Sequence, residues 1–327
     1  MANDRRRLMA RFFFLFIIIF SGTTANSQSY PSKPIRFVVS FPPGGSADLV
    51  VRSIAPRMAE RLGQQIVVEN RPGAGGNIGV DIVAKAAPDG HTIGLAAAGA
   101  LSLNPSLYTS MPFNPEKDLA PISLLAMIPF VLIANPSVPF ASLSELISFA
   151  KSQPGKLSYG HGGNASAMHL SGELLKIMAG IELLPIPYKG SGPVAADVLG
   201  GQVPLGIVDV PSAIANVKAG RLKALAVTTA RRISAAPEVP TFMEAGVPGY
   251  ESIGWFGAVA PANTPSGVIN RLNREMIAAL SVPEVRERVL ASGVEPYTST
   301  PQEFAAFIRD EARKWAQVIM TAKVKVD

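Results

Sequence analysis

The sequence contains no cysteine, and this absence excludes disulfides, thiolate nucleophiles and zinc–thiolate sites. Histidine is scarce as well, with His91, His161 and His169 as its three positions. These residues do not form an H-E-x-x-H pattern, so the sequence predicts no metal site. The residues around Ser46 do not complete a G-x-S-x-G turn, because Asp48 stands at the place of the second glycine. A hydrolase is therefore disfavoured, and we expect no catalytic residues.

Charged residues are also few, at 17% of the chain, and the net charge is +6. The first 25 residues carry +3 of this charge. No basic stripe is interleaved with aromatic residues, so the sequence gives no indication of nucleic-acid binding. The weakly basic remainder is compatible with small anionic ligands. A length of 327 residues with 48% apolar residues fits about two globular domains.

The N-terminus has the three-part layout of a secretory signal peptide. Basic residues at 5–7 and Arg11 precede an unbroken apolar run at 12–20, and small residues follow up to Ala25. The run is shorter than the roughly 20 residues that span a bilayer. We therefore expect a signal peptide at 1–25, with an uncleaved anchor as the alternative. An exported protein has little access to ATP or nicotinamide cofactors, so we expect no cofactor.

Two strand-to-helix turns rich in small residues suggest two halves of one anion site. The first is F-P-P-G-G-S-A-D at 41–48, and the second is G-H-G-G-N-A-S at 160–166. Glycine lets a ligand approach the main chain closely, and the start of a helix offers free backbone N–H groups to an anion. Either turn is equally consistent with a tight turn followed by a capped helix.

Strand-like and helix-like segments alternate along both halves of the chain, which predicts α/β architecture with parallel sheets covered on both faces. Residues 102–125 are rich in proline, and we expect an irregular passage there towards a second lobe. The glycines at 73–79 are spaced G-x-G-x-x-x-G, which differs from the G-x-G-x-x-G of a dinucleotide turn.

Several residues at these turns have two possible roles that the sequence does not separate. Asp48 either caps the helix and organises its loop, or it orients Ser46 or meets a positively charged part of a ligand. Asp209 either caps the following helix or contacts a ligand at the carboxyl end of a strand. Lys189 is either solvated or attracts an anion. Trp255 either packs in the core or closes over the ligand.

Specific motifs occur in order along the whole chain after the signal peptide. They are Y-P at 30–31, P-I at 34–35, F-P-P-G-G-S-A-D at 41–48, V-V-E-N-R-P-G-A-G-G-N-I-G at 67–79, A-P-D-G-H-T at 87–92, P-Y-K-G at 187–190, and E-A-G-V-P-G-Y-E at 244–251 with Trp255 just after. Together they resemble the Bug receptors, the periplasmic substrate-binding proteins associated with tripartite tricarboxylate transporters.

This resemblance implies a type II periplasmic-binding-protein fold, in which two α/β lobes joined by crossover strands surround a ligand cleft. We expect lobe 1 at 26–127 and 250–327, and lobe 2 at 128–249. It also implies a monomeric receptor without a catalytic step that captures a small organic acid, a carboxylate, and presents it to the membrane subunits of a transporter. The alternative is a receptor that passes a ligand signal to a membrane sensor.

The resemblance also implies a set of ligand-binding residues. They are Gly44, Gly45, Ser46, Asp48, Ala98, His161, Gly162, Gly163, Asn164, Ala165, Ser166, His169 and Asp209. The family usually has a small residue, often serine, at position 161 and glycine at position 165. A neutral His161 donates one hydrogen bond, whereas a protonated one adds positive charge to the pocket. Ala165 is expected to restrict a backbone turn that glycine allows.

Overall fold

The computed structural model describes residues 30–291 and 293–326. The predicted signal peptide and its cleavage near Ala25 lie outside the described residues. From Lys33 onward the chain folds as one unit. Within the described residues, no helix is both long and apolar enough to cross a membrane.

The described residues contain eleven strands, which build two sheets. The strands are β1 Ile35–Val39, β2 Ile66–Asn70, β3 Thr92–Ala97, β4 Leu119–Ile128, β5 Phe130–Ala134, β6 Ser158–His161, β7 Leu184–Pro187, β8 Leu205–Asp209, β9 Lys223–Val227, β10 Gly254–Pro261 and β11 Glu295–Pro296. The first sheet has the order β11-β4-β10-β3-β1-β2, and the second has the order β7-β6-β8-β5-β9.

Both sheets are mixed, so the prediction of parallel sheets is wrong for part of each. Strand β1 lies parallel to β2 and β3, and β6 lies parallel to β7 and β8. By contrast, β10 is antiparallel to β3 and β4, and β5 is antiparallel to β8 and β9. The chain passes from the first sheet to the second between β4 and β5, and it returns between β9 and β10. All four of these strands make antiparallel pairs. The alternation of strands and helices in the sequence does not predict these passages.

Strand β4 corrects the expectation of an irregular passage at 102–125. It runs for ten residues despite Pro121, which lacks the N–H that a sheet ladder uses. Pro121 pairs with Val259, where the register of β10 shifts between Ala258 and Val259. The missing N–H donor is tolerated because the register is irregular at this point. The strand is otherwise apolar and buried, with Leu124 and Leu125 among its buried residues.

Helices cover the sheets and follow the predicted strand–helix order. In chain order they are α1 Ser46–Leu62, α2 Asn77–Ala84, α3 Asn104–Leu107, α4 Pro115–Asp118, α5 Leu143–Ser152, α6 Ala167–Ala179, α7 Ser191–Leu199, α8 Val210–Lys218, α9 Ser266–Leu280, α10 Pro283–Ala291 and α11 Pro301–Ala322. Helix α1 buries Val50, Ile54 and Met58 on one face, because these residues recur at three- and four-residue steps. It ends at Gly63, which adopts a left-handed φ of 69°.

Helix α11 contributes to the hydrophobic cores of both sheets. Phe304 and Ile308, near its start, pack in a cluster with Trp255 and other residues of the first sheet. Trp315 and Ile319, near its end, pack instead in a cluster built mainly on the second sheet. One helix therefore contributes residues to two separate hydrophobic clusters.

In the described part of the chain, the backbone crosses between the sheets at two places that lie next to each other. The first crossing is Pro129, between β4 and β5, and the second runs from Thr228 to Ile253. Thr228 donates its backbone N–H to the carbonyl of Phe130 at 3.0 Å, and Ser252 donates to the carbonyl of Thr228 at 2.9 Å. The division into lobes at 127/128 and 249/250 stays a prediction, and α11 packs on both sides of it.

Candidate functional site

A cleft of about 540 Å³ lies between the carboxyl ends of strands from the two sheets. From the first sheet and its helices it is lined by Phe41, Ser46, Gly75, Ala97, Ala98, Gly99, Leu103, Asn104, Tyr108, Ile128, Gly254, Trp255 and Phe256. From the second sheet and its helices it is lined by Phe130, Gly162, Asn164, Ala165, Ser166, Ala167, Met168 and Asp209, and Val326 also borders it. The volume is that of a small-molecule site.

The first predicted loop brings the start of α1 to this cleft. Gly45 is the N-cap residue and supplies no side-chain hydrogen bond, so the first-turn N–H groups of α1 have no side-chain cap. Ser46, the first residue of the helix, lines the cleft. The positive end of the helix dipole therefore faces the cavity, where it favours a negative group.

Asp48 holds this loop together from below the cleft surface. Its side chain is 4% exposed and does not line the cleft. It accepts hydrogen bonds from the backbone N–H of Gly44, from Arg52 and from Asn70, each at 2.9 Å. Burial alone raises the pKa of Asp48, but these donors outweigh burial and lower it. The geometry fits the first of its two possible roles, organisation of the loop.

The second predicted loop begins α6 on the other side of the cleft. Ser166 is the N-cap residue, and its hydroxyl accepts from the backbone N–H of His169 at 3.2 Å. The first two helical residues, Ala167 and Met168, line the cleft together with Asn164 and Ser166. A second helix start thus faces the cavity that α1 faces.

Two stacked imidazoles support the second loop from behind. The rings of His161 and His169 lie 4.2 Å apart between centroids and are inclined by 8°. His169 accepts the backbone N–H of Ala165 through Nδ1 at 3.0 Å, and Nδ1 of His161 lies 2.9 Å from the carbonyl oxygen of Gly163. Both side chains are buried, and neither lines the cleft. They shape the backbone of the loop.

Burial keeps His161 in its neutral form at neutral pH. Loss of hydration, followed by the neighbouring His169, lowers the pKa of His161 to about 4. Of the two roles considered for this residue, the geometry therefore fits the neutral hydrogen-bonding one. Its Nε2 atom is buried without a hydrogen-bond partner among the described residues.

Glu173 anchors the same support through a buried network. It accepts hydrogen bonds from Tyr159 at 3.1 Å and from Lys176 at 2.8 Å, and Nε2 of His169 lies 3.7 Å away. Burial raises the pKa of Glu173, but His169 and Lys176 outweigh burial and lower it. The carboxylate thus fixes His169, which in turn holds the loop at Ala165.

Ala165 adopts the left-handed backbone turn that glycine allows and that its side chain was expected to restrict. Its φ is +57°, in the left-handed region, which costs a non-glycine residue roughly 1–2 kcal/mol. The residue lines the cleft between Asn164 and Ser166. The loop therefore stores backbone strain at the cleft surface.

Replacing Ala165 with glycine should stabilise the protein. Relief of roughly 1–2 kcal/mol of strain exceeds the roughly 0.5–1 kcal/mol that glycine costs in the unfolded chain, so we expect a gain of about 0.5–1 kcal/mol. Chemical denaturation measures it. The control is Ala215→Gly on the exposed face of α8, which should lose about 1 kcal/mol. An equal loss in both variants would contradict the strain argument.

Asp209 caps a helix and also lies at the cleft, whereas contact with a ligand stays a prediction. It is the N-cap of α8, where Oδ1 accepts from the backbone N–H and from the hydroxyl of Ser212. The same side chain lines the cleft at the carboxyl end of β8. Its own backbone N–H donates to the hydroxyl of Ser191 at 3.2 Å, which fixes the end of the strand.

Trp255 is a core residue that also borders the cleft. It is fully buried and packs edge-on against Phe304 at 5.6 Å. Its indole N–H donates to Glu311 at 3.3 Å, and Glu311 also accepts from Trp315 at 2.9 Å. Glu311, on α11, therefore links the wall of the cleft to the helix that contributes to both clusters.

The cleft gathers part of the predicted residue set and adds residues that were not predicted. Of the predicted set, Ser46, Ala98, Gly162, Asn164, Ala165, Ser166 and Asp209 line it. The others, Gly44, Gly45, Asp48, His161, Gly163 and His169, lie outside the lining. The apolar walls were missed. Phe41 lies two residues after β1 and Phe130 begins β5, and the sequence does not distinguish either from a core residue. Within the described residues, no group of three or more His, Asp or Glu side chains is placed to hold a metal.

Two mixed α/β sheets with a cleft between them define the class of two-lobed periplasmic binding proteins, and solved members of that class share the fold. The family model of the tripartite tricarboxylate transporter family receptor matches residues 50–324. The chain belongs to this family.

Relatives support this placement over nearly the whole chain. The protein is 39% identical over 302 residues to Protein BugT of Bordetella pertussis, covering 92% of this chain and 93% of that protein. It is similar to R. palustris Rpa4515, solved with adipate, at 37% identity and a TM-score of 0.76, covering 90% and 99% of the two chains. It is also similar to MatC of Rhodopseudomonas palustris, solved with bound malate, at 32% identity and a TM-score of 0.73, covering 89% and 100%.

Proposed function

We propose that the protein is a periplasmic receptor that binds a small organic carboxylate in the cleft and delivers it to the membrane subunits of a tripartite tricarboxylate-type transporter. The observation that carries the proposal is that α1 and α6 both begin at the same cleft. Two helix starts supply backbone N–H groups and positive dipole ends to one anion from opposite sides. The proposed ligand contacts are Ser46, Asn164 and Ser166.

Relatives add support for the ligand class and for the partner. The two similar R. palustris proteins were solved with adipate and with malate, both of which are carboxylates. The family to which the chain belongs is described as the receptor of a transporter. Export through the predicted signal peptide at 1–25 would place the receptor in the periplasm, in reach of such a partner.

Thermal unfolding against a panel of mono-, di- and tricarboxylates tests the binding step. A ligand present at 100 times its dissociation constant should add about 2.7 kcal/mol to the free energy of unfolding. Ser46→Phe should abolish the shift, because the new ring fills the cleft at the start of α1. Ser148→Phe, on the exposed face of α5, is the matched control and should keep it. No shift with any acid would overturn the proposal.

The delivery step has a separate test in the host bacterium. Deleting the gene should abolish uptake of the acid that the panel identifies, and the wild-type gene should restore uptake. Normal uptake in the deletion strain would contradict the transport role while leaving ligand binding intact.

A further inference from the structure

We infer that the cleft selects an organic acid with a single charged carboxylate and an apolar body that carries a hydrogen-bond donor, such as a hydroxyl or amino group. The inference rests on the proposed function, because it assumes that a carboxylate binds at the starts of α1 and α6. It concerns the rest of the cavity, which has to accommodate whatever is attached to that carboxylate.

Apolar and aromatic side chains form the walls of this remaining space. Phe41 and Phe256 lie against each other on the first-sheet side, with ring centroids 5.7 Å apart and planes inclined by 57°. Trp255 borders the cleft beside them, and Phe130 and Met168 line the second-sheet side. Water held against such walls is released when an apolar group replaces it, so the walls favour a hydrocarbon chain or ring.

Charge in the cleft disfavours a second carboxylate. Among the described residues that line it, none is lysine or arginine, and Asp209 is the one charged side chain. No ion pair with Asp209 occurs in the described part of the chain. A second carboxylate on the ligand would therefore meet a like charge in a cavity with apolar walls, which screen charges less than bulk water does.

Two side chains that line the cleft have an oxygen atom available to accept a hydrogen bond, and this favours a ligand that carries a hydrogen-bond donor. At Asp209, both bonds from Ser212 fall on Oδ1, so Oδ2 is left to accept. Asn104 donates its amide N–H to Asn77 at 2.8 Å, which leaves its amide oxygen as a second acceptor. A hydroxyl or amino group on the apolar body satisfies acceptors that a plain hydrocarbon would leave unpaired.

Calorimetric titration with two matched series of acids tests the inference. The first series is benzoate, para-hydroxybenzoate and terephthalate, and the second is hexanoate, ω-hydroxyhexanoate and adipate. In at least one series we expect the hydroxy acid to bind best and the dicarboxylate to bind at least tenfold more weakly. Asp209→Asn should remove this penalty and tighten dicarboxylate binding at least tenfold, because it removes the charge. Asparagine also caps helices well, so the fold should be retained.

The matched control is Asp197→Asn. Asp197 lies on α7, accepts from the Tyr188 hydroxyl at 2.9 Å and does not line the cleft, so the order of affinities should not change. Dicarboxylates that bind the wild type as tightly as the matched hydroxy acids would overturn the inference and leave the proposed function standing. Binding of no carboxylate at all, in either series or with citrate, would overturn the proposed function and the inference with it.

Discussion

Replacing Gly172 with alanine should lower the free energy of unfolding by about 3 kcal/mol, although the substitution is favourable in an isolated helix. The residue lies inside α6, where alanine is preferred over glycine by about 1 kcal/mol. A Cβ atom there would lie 2.2 Å from Cζ and 2.4 Å from the hydroxyl oxygen of Tyr159, closer than such atoms approach. Overpacking and loss of the Tyr159 bond to Glu173 together outweigh the gain in propensity.

The variant should also bind the ligand more weakly. Tyr159 lies beside His161, with ring centroids 5.6 Å apart, and its hydroxyl donates to Glu173, so its displacement disturbs the support of the second loop. The matched control is Gly267→Ala in α9, where no atom outside the adjacent residues and the helix's own backbone lies within 4 Å of the new Cβ. A gain of about 0.4–1 kcal/mol is expected there. Denaturant unfolding of both variants decides the matter. Equal stabilisation would show that α6 and Tyr159 can move apart without cost.

Acidification from pH 6.5 to pH 5 should cost the protein roughly 1.5 kcal/mol of stability through His161 alone. Burial lowers the pKa of this residue to about 4, against 6.5 for an exposed histidine. Between these values the unfolded chain binds a proton that the folded protein excludes, so stability falls as the pH falls. Above about pH 8 both states are neutral at His161, and its contribution is constant.

The pH window separates His161 from the buried carboxylates. Asp48 and Glu173 have lowered pKa values, so their stabilisation is complete above the pKa of an unfolded carboxyl and is lost only at lower pH. His161→Gln keeps a donor for the loop and should flatten the stability profile between pH 5 and 6.5. Denaturant unfolding across this range, with wild type and variant compared at pH 7.5, measures the difference. An unchanged slope in the variant would assign the effect to another group.

The sequence predicts the structure of a segment well when adjacent residues determine it, and poorly when residues distant in the sequence determine it. Helix α1 could be predicted with its end at Gly63, because apolar spacing and a left-handed glycine are encoded in adjacent residues. Strand β4 could not, because Pro121 is tolerated only through the register shift of β10, which comes more than 100 residues later. The antiparallel direction of β5 is likewise set by partners distant in sequence.

The same contrast holds at the site. The two loops at 41–48 and 160–166 could be located from their glycines and from the helices that follow. The burial of His161 could not be predicted, because it depends on stacking against His169 in the first turn of α6 and on Tyr159 beside it. Apolar walls such as Phe130 carry no local signal that separates a cleft residue from a core residue. Glycine-rich loops with polar residues therefore indicate the position of a site more clearly than the apolar residues that line it.

Helix α11 limits which changes of chain length the protein tolerates. Ile308 belongs to one core and Trp315 to the other, and each residue of an α-helix turns the chain by about 100°. One residue inserted or deleted between them would rotate Trp315 away from its cluster, whatever the identity of that residue. Substitutions on the exposed face of this segment leave Ile308 and Trp315 directed at their clusters. Its length is therefore under a stricter constraint than its composition.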